Sequence, residues 1–156
     1  DIQNIAAEFG PRTFHLVICF GNTLAHLPGP GEIAALIKQV RAVTVENGVF
    51  LAQILNYEYI LSKSIKELPP IETGEFSFFR EYRFGPGSKD PIEFITTFTL
   101  KASGETYRDT TSLYPLTGNE LKKILASAGF SIINCFGGFD RSVLKEDSLP
   151  LIVEAR

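Results

Sequence analysis

Polar side chains that could bind a ligand follow an uncharged apolar run near the start of the chain. The run covers residues 14–20 and stops at Gly21, and Asn22 and His26 come soon after it. A run rich in β-branched and aromatic residues is typical of a strand covered on both faces, as in a parallel sheet. Glycine allows the chain a sharp exit, and open α/β sheets bind ligands at the carboxyl ends of such strands. The sequence therefore predicts a binding crevice around Asn22 and His26.

A second pair of polar residues, Asn56 and Tyr57, follows a second apolar run at 49–55. Between the two runs, apolar residues recur at helical spacing from Gly31, which predicts an amphipathic helix ending near Asn47-Gly48. A strand, a helix and a strand in this order form a right-handed crossover between two parallel strands. We therefore expect Asn22 and Asn56 to emerge side by side on one edge of the sheet, where both could reach one ligand.

The remaining elements predict an antiparallel insertion and a closing hairpin. Strand-like stretches at 76–84, 92–101 and 105–114 are separated by glycine-containing turns. Thr117 and Glu120 form a capping box for a helix that ends at Gly129. The stretches 131–136 and 149–155 are interpreted as two more strands that finish the sheet.

Composition excludes several classes of function. The 156 residues carry 15 basic and 18 acidic side chains, so a net charge of −3 offers no attraction to nucleic acid or to an anionic membrane surface. The two cysteines, Cys19 and Cys135, lie in apolar runs without metal-ligand spacing, which indicates buried free thiols and no metal site. No run is long enough to span a bilayer, so we expect a soluble cytoplasmic protein of one domain. The chain has no methionine, and we interpret the numbering as beginning inside a longer polypeptide.

Three segments carry a likeness to a known family. Residues 17–27, Val-Ile-Cys-Phe-Gly-Asn-Thr-Leu-Ala-His-Leu, are similar to the family's fourth strand and the loop after it. Residues 48–61, which end in Asn-Tyr-Glu-Tyr-Ile-Leu, are similar to its fifth strand and turn. Residues 114–130, which open with Tyr-Pro-Leu-Thr, are similar to the helix ahead of its final antiparallel pair. On these motifs the chain resembles the second half of a class I S-adenosylmethionine-dependent methyltransferase, most closely the glycine and sarcosine N-methyltransferase branch.

The resemblance implies a fold, a cofactor and a reaction. The fold would be an α/β, Rossmann-like methyltransferase sheet that lacks its first strands, with a three-stranded antiparallel meander at 76–114 inserted as a lid within the single domain 1–156. The cofactor would be S-adenosylmethionine, and the reaction methyl transfer to the amine or hydroxyl of a small molecule. The family's glycine-rich turn has no match here, because Gly29-Pro30-Gly31 follows a loop. The isolated piece is therefore expected to be inactive.

The resemblance also assigns roles to single residues. Asp1, Ile2, Phe20, Gly21 and His26 would contact the cofactor, whereas Asn22, Asn56, Tyr57 and Tyr114 would face the methyl acceptor. Asp1 would contact the adenine amino group, and the Phe20 carbonyl would accept from the cofactor's ammonium. Arg80 and Arg108 are loose candidates for an acceptor-binding arginine. No residue is assigned as catalytic, because an in-line methyl displacement requires no covalent nucleophile.

Two other functions stay open. A non-catalytic module could use a methyltransferase-like sheet to pair with another chain, because the strand at 14–20 would lack a neighbour and an unpaired strand edge favours dimerisation. Methylation of transfer RNA or of protein is disfavoured by the acidic balance.

Overall fold

The computed structural model describes residues 2–87 and 89–156. A short 3-10 turn, Ile2–Asn4, and helix α1, Ile5–Glu8, precede strand β1, Phe14–Cys19. A second 3-10 turn, Thr23–His26, leads into helix α2, Pro30–Val43, and strand β2, Thr44–Leu55. Helix α3, Tyr57–Ser62, then connects to strands β3, Glu67–Glu72, β4, Phe76–Arg83, β5, Ile92–Leu100, and β6, Thr106–Leu113. Helix α4, Gly118–Ser127, and strands β7, Ile133–Phe136, and β8, Pro150–Ala155, complete the order.

The first sheet has the strand order β1-β2-β8-β7. Strands β1 and β2 are parallel and are joined by α2, as the periodicity predicts, whereas β8 runs antiparallel to both β2 and β7. This parallel crossover confirms the α/β, Rossmann-like class of the prediction. The carboxyl ends of β1 and β2 consequently lie at the same edge of the sheet.

Helices α2 and α4 cover one face of this sheet. Their apolar stripes, including Ile33, Ile37, Leu121 and Leu125, form a core cluster with alternate residues of β2 and β8. Alternation places the intervening residues of every strand on the opposite face.

That opposite face is bare along β1, so the prediction of a first strand covered on both faces is wrong for this chain. Leu16, Ile18 and Phe20 are 49%, 53% and 38% exposed. An apolar composition shows that a strand is able to be buried on both sides, but the covering layer must come from other residues. Among the described residues, none packs over this part of the face closely enough to bury it.

The boundary between α2 and β2 also differs from the prediction. Helix α2 ends at Val43 and β2 begins at Thr44, so Asn47 and Gly48 lie inside the strand and do not end the helix. Asn47 has a φ of 60°, and the pairing of β1 with β2 shifts register over this stretch. The turn-forming pair therefore makes an irregularity within a strand.

The second sheet is antiparallel and has four strands in the order β3-β4-β5-β6, so the predicted three-stranded meander is one strand short. The missed strand contains Pro69 and Pro70, which indicated a break in the sequence. Prolines are tolerated here because β3 is an edge strand, and its pairing with β4 is irregular between Leu68 and Ile71.

The two sheets meet at the chain segments that follow β1 and β6. The backbone N–H of Tyr114 donates to the carbonyl of Ala25 at 2.7 Å. A second apolar cluster lies at this junction and contains Ala25, Tyr57, Ile60, Leu68, Tyr82, Ile92 and Leu113. In the described part of the chain, no helix is both long and apolar enough to cross a membrane.

Candidate functional site

A cavity of about 210 Å³ separates the carboxyl ends of β1 and β2 from the antiparallel sheet. The segment after β1 supplies Gly21, Asn22 and His26 to its wall, and the end of β2 supplies Gln53 and Leu55. The second sheet supplies Leu68, Arg80, Tyr82, Phe94 and Leu113. The crevice predicted at Asn22 and His26 is therefore present, and the inserted sheet closes it from the other side.

Asn22, which follows β1, forms hydrogen bonds to residues at and after the end of β2. Its Oδ1 accepts from the Leu55 N–H at 3.0 Å, and its Nδ2 donates to the Tyr57 hydroxyl at 2.8 Å. The residue is 9% exposed and has a φ of 63°, a conformation that asparagine tolerates better than most residues. These bonds occupy both ends of the amide, so Asn22 lies in the cavity wall with its main polar atoms already engaged.

Gln53 holds the turn that follows β1. Its Oε1 accepts from the Gly21 N–H at 2.7 Å, and the Phe20 carbonyl accepts from the Thr23 hydroxyl at 2.6 Å. The sequence analysis did not single out Gln53. The only available signal was a polar side chain inside the apolar run at 49–55.

Tyr57 is fully buried and does not line the cavity. Burial raises its pKa to about 12, although the hydrogen bond from Asn22 opposes the shift. The phenol therefore stays protonated at neutral pH. Its hydroxyl accepts a hydrogen bond from Asn22, and its predicted contact with an acceptor stays a prediction.

Asn56 lies next to the Asn22 contact but faces a different cleft. Its Oδ1 accepts from the Tyr59 N–H at 3.3 Å and caps α3, while its Nδ2 donates to the Ser148 carbonyl at 3.0 Å. The cleft that it lines has a volume of about 580 Å³ and also contains Glu58 and Lys122. The parallel strands bring the two asparagines to one sheet edge, as expected, but they do not line a common cavity.

Tyr114 is 8% exposed, and its hydroxyl donates to the Glu120 carboxylate at 2.9 and 3.0 Å. Burial, followed by the contact with Glu120, raises its pKa to about 12. This contact links the chain after β6 to the first turn of α4. Thr117 caps that helix as predicted, because its hydroxyl accepts from the Glu120 N–H.

Two of the residues assigned to the cofactor, Gly21 and His26, line the cavity. His26 is exposed and lines the cavity. Gly21 has a φ of 74°, and a Cβ at this position would meet nothing within 4 Å, so the space beside its backbone is open. Ile2 is 38% exposed, and Asp1 lies outside the described residues. The ligand roles of all these residues stay predictions.

Arg80 and Tyr82 are the polar residues of the antiparallel sheet that line this cavity. The Arg80 Nε and the Tyr82 hydroxyl are buried, and neither has a hydrogen-bond partner in the described part of the chain. Tyr82 was not identified from the sequence. Arg108, the other candidate for an acceptor-binding arginine, is exposed on β6 and does not line the cavity.

Comparison with known proteins identifies relatives of the fold. A glycine/sarcosine N-methyltransferase from Parasynechococcus marenigrum (strain WH8102) is 24% identical over 144 residues, which cover 90% of this chain and 48% of that protein. The structure of an S-adenosylmethionine-dependent methyltransferase from Clostridium acetobutylicum ATCC 824 superposes with a TM-score of 0.81 and 16% identity, over 100% of this chain and 62% of that one. The CcbJ methyltransferase from Streptomyces caelestis gives a TM-score of 0.79 and 18% identity, over 95% and 59% of the two chains. No protein-family model matches the sequence.

These similarities confirm the predicted resemblance at the level of the fold. The chain spans about half the length of the curated relative and about three fifths of the two solved structures.

Proposed function

Because the chain has the fold of class I S-adenosylmethionine-dependent methyltransferases, we propose that it takes part in methyl transfer from S-adenosylmethionine to the amine or hydroxyl of a small molecule. The observation that carries the proposal is the cavity at the carboxyl ends of β1 and β2, closed by the antiparallel sheet. Ligands of open α/β sheets bind at this end of the strands.

The residues around Gly21 fit the edge of a cofactor site. Open space beside the Gly21 backbone lets a ligand approach the end of β1 closely, and the exposed His26 lines the same cavity. When bound, S-adenosylmethionine supplies a methyl group on a positively charged sulfur. We assign the Phe20 carbonyl, Gly21 and His26 to its contact, with Asn22 and Gln53 acting as the residues that hold this turn in shape.

The contribution of the described residues to the reaction is position and exclusion of water. Asn22, Tyr57 and Gln53 fix the ends of β1 and β2 through hydrogen bonds of 2.7 to 3.0 Å. Strands β4 and β5 close the opposite wall with Tyr82 and Phe94, whose rings lie 5.3 Å apart. A fixed geometry and a dry cavity are the main requirements of an in-line displacement, and neither needs a covalent nucleophile.

The test is calorimetric titration of the full natural polypeptide that carries this chain with S-adenosylmethionine. We expect saturable binding, weakened by His26→Ala and unchanged by His15→Ala, because His15 is exposed on β1 away from the cavity. The 156-residue chain alone should give no saturable heat, in keeping with its lack of a matching glycine-rich turn. Absence of binding by the full polypeptide would overturn the proposal.

A non-catalytic pairing module is the second candidate, and the bare face of the first sheet favours it. Strand β1 lies at the edge of that sheet, with Leu16 and Ile18 about half exposed. If this were the function, Ile18→Lys would convert a dimer into a monomer in sedimentation analysis, whereas Ile71→Lys on the other sheet would not. A chain that is monomeric at high concentration before any substitution excludes this candidate.

A further inference from the structure

A second cleft, the one that Asn56 lines, opens between α3, the start of α4 and the segment 137–149 that joins β7 to β8. Its volume is about 580 Å³, compared with about 210 Å³ for the cavity at Asn22. Binding sites for small molecules usually occupy about 300 to 1,000 Å³. None of the described residues that the proposed function assigns to S-adenosylmethionine lines this second cleft, so that function does not account for it.

Hydrogen bonds fix the walls of the second cleft relative to one another. Asn56 is 5% exposed and joins α3 to the segment 137–149, because its Oδ1 accepts from the Tyr59 N–H and its Nδ2 donates to the Ser148 carbonyl. The Ser148 hydroxyl in turn accepts from the Lys145 N–H at 3.0 Å. These bonds hold the backbone of Lys145 in one position relative to α3, so the second cleft is preformed.

Part of the lining is apolar. Leu151 is 2% exposed, and Leu144 and Cys135 are half-buried. Burial raises the pKa of the Cys135 thiol, so the thiol is uncharged at neutral pH. The Lys122 ammonium opposes this shift in pKa, which shows that a positive charge lies close to the apolar part of the lining.

Three lysines line the second cleft without a carboxylate partner. Lys63 ends α3, Lys122 lies on α4 and Lys145 lies on the segment 137–149, and all three are exposed. Within the described chain, none of their ammonium groups lies within ion-pair distance of a carboxylate. Charges of one sign that line a cleft raise the local concentration of ions of the opposite sign.

The two carboxylates in the described lining, Glu58 and Glu146, do not balance these charges. Glu58 accepts from the Gly118 and Asn119 N–H groups and lies against the positive end of α4, which offsets part of its charge. Glu146 is exposed and is the other carboxylate in the described lining. Three ammonium groups against two carboxylates leave the lining positive.

We propose that the second cleft binds a phosphorylated small molecule, with the phosphate held by the lysines and the uncharged part against Leu144 and Leu151. A lysine ammonium is a compact charge that suits phosphate oxygens. A positive lining attracts a doubly charged phosphate ester more strongly than a singly charged carboxylate. The site is separate from the cavity at Asn22, so it does not depend on the proposed function.

Titration of the chain, followed through backbone amide signals in NMR spectra, locates the site. Phenyl phosphate carries both a double charge and an apolar ring, and it should shift the Lys122 and Lys145 signals with saturation. Inorganic phosphate and benzoate should bind more weakly, and neutral benzyl alcohol should leave these signals unchanged. The amide of Lys38, an exposed residue on α2 that does not line the second cleft, is the internal control.

Two results of this titration would overturn the inference. One is the absence of a saturable shift at Lys122 and Lys145, or an equal shift at Lys38. The other is an affinity for benzoate or inorganic phosphate as high as that for phenyl phosphate, because the site would then not select a phosphate ester.

Substitution of the lysines tests the origin of the affinity. Lys122→Gln should weaken phenyl phosphate binding about twofold to fivefold, the value of an exposed ion pair. The triple variant Lys63→Gln, Lys122→Gln, Lys145→Gln should abolish saturation, whereas Lys38→Gln should have no effect. All four side chains are exposed, so these variants should unfold at the same urea concentration as the parent chain. Saturable binding by the folded triple variant would contradict the proposal.

Alkylation of the two cysteines gives a second measurement. Phenyl phosphate should slow the reaction of Cys135 with iodoacetamide and leave the reaction of Cys19, on β1, unchanged. The triple lysine variant should lose this protection. Equal protection of both cysteines, or no protection of Cys135, would count against a ligand in the second cleft and would leave the methyltransferase function untouched.

Discussion

Polar residues line the cavity from both of its sides, and the two sides differ in whether the polar atoms have hydrogen-bond partners. On the parallel side, Asn22 and Gln53 bind backbone groups at the ends of β1 and β2, and Asn22 also binds the buried Tyr57. On the antiparallel side, the Arg80 Nε and the Tyr82 hydroxyl have no partner within the described chain. The first arrangement stabilises the protein, whereas the second costs stability, because a buried donor without a partner has lost its hydrogen bonds to water. Hydrogen-bond satisfaction thus distinguishes the two walls of the cavity.

The largest effect expected from this comparison is the loss of Asn22. Asn22→Leu keeps the approximate size but leaves the Leu55 N–H and the Tyr57 hydroxyl without partners, and it places a branched residue at positive φ. We expect the free energy of unfolding to fall by about 3 kcal/mol in urea denaturation. Asn119→Leu, an exposed position on α4, is the control. A loss below about 1 kcal/mol would show that the Asn22 contacts contribute little net stability.

Alkaline pH should weaken the same network. The pKa of Tyr57 is raised from its ordinary value of 10 to about 12, so folding favours the protonated phenol. Its contribution to stability is complete below pH 10 and is lost as the pH rises toward 12. The slope for one such group approaches about 1.4 kcal/mol per pH unit. Unfolding curves between pH 9 and 12 should show a shallower decline for Tyr57→Phe than for the unsubstituted chain.

A smaller loss is expected where α3 supports α4. The Glu58 carboxylate accepts from the Gly118 and Asn119 N–H groups at 3.0 and 3.2 Å, at the positive end of α4. Glu58→Ala should cost about 1 to 2 kcal/mol in thermal or urea unfolding, because both orphan donors and the charge interaction lose their partner. Glu58→Gln should retain part of the stability. Equal stability of Glu58→Ala and the parent chain would contradict this assignment.

The smallest change in the free energy of unfolding should come from substitution of Tyr82. Unlike the other substitutions, it should not destabilise the protein. Tyr82→Phe removes a buried hydroxyl that has no partner, so the free energy of unfolding should stay level or rise by up to about 1 kcal/mol. Tyr57→Phe, measured at neutral pH as the matched substitution, should lower it by about 1 kcal/mol. A Tyr82→Phe variant less stable than Tyr57→Phe would remove the distinction between the two walls.

Local patterns in the sequence predict the parallel crossover and the cap of α4. Apolar runs around an amphipathic helix indicate β1, α2 and β2, and Thr117 with Glu120 indicates where α4 begins. Strand β3 could not be recognised in this way, because Pro69 and Pro70 are compatible with a strand only at a sheet edge. The position of an edge is a property of the assembled sheet.

The candidate site was predictable only in part for a related reason. Asn22 and His26 follow a strand and can be found from one sequence segment. Tyr82 reaches the cavity only because the antiparallel sheet packs against the segment around the end of β2, where Tyr82 shares an apolar cluster with Leu55 and Tyr57. Asn56 illustrates the converse, because it follows a strand as Asn22 does, yet its capping bond with the Tyr59 N–H turns it toward another cleft.

The exposed apolar face of the first sheet affects the solubility of the chain. Leu16, Ile18 and Phe20 leave an apolar strip exposed on one face of the first sheet, while its other face packs into the core. A stably folded chain can therefore still adsorb to column resins, bind detergent or self-associate in concentrated solution. The solubility of this chain and its free energy of unfolding are therefore separate quantities.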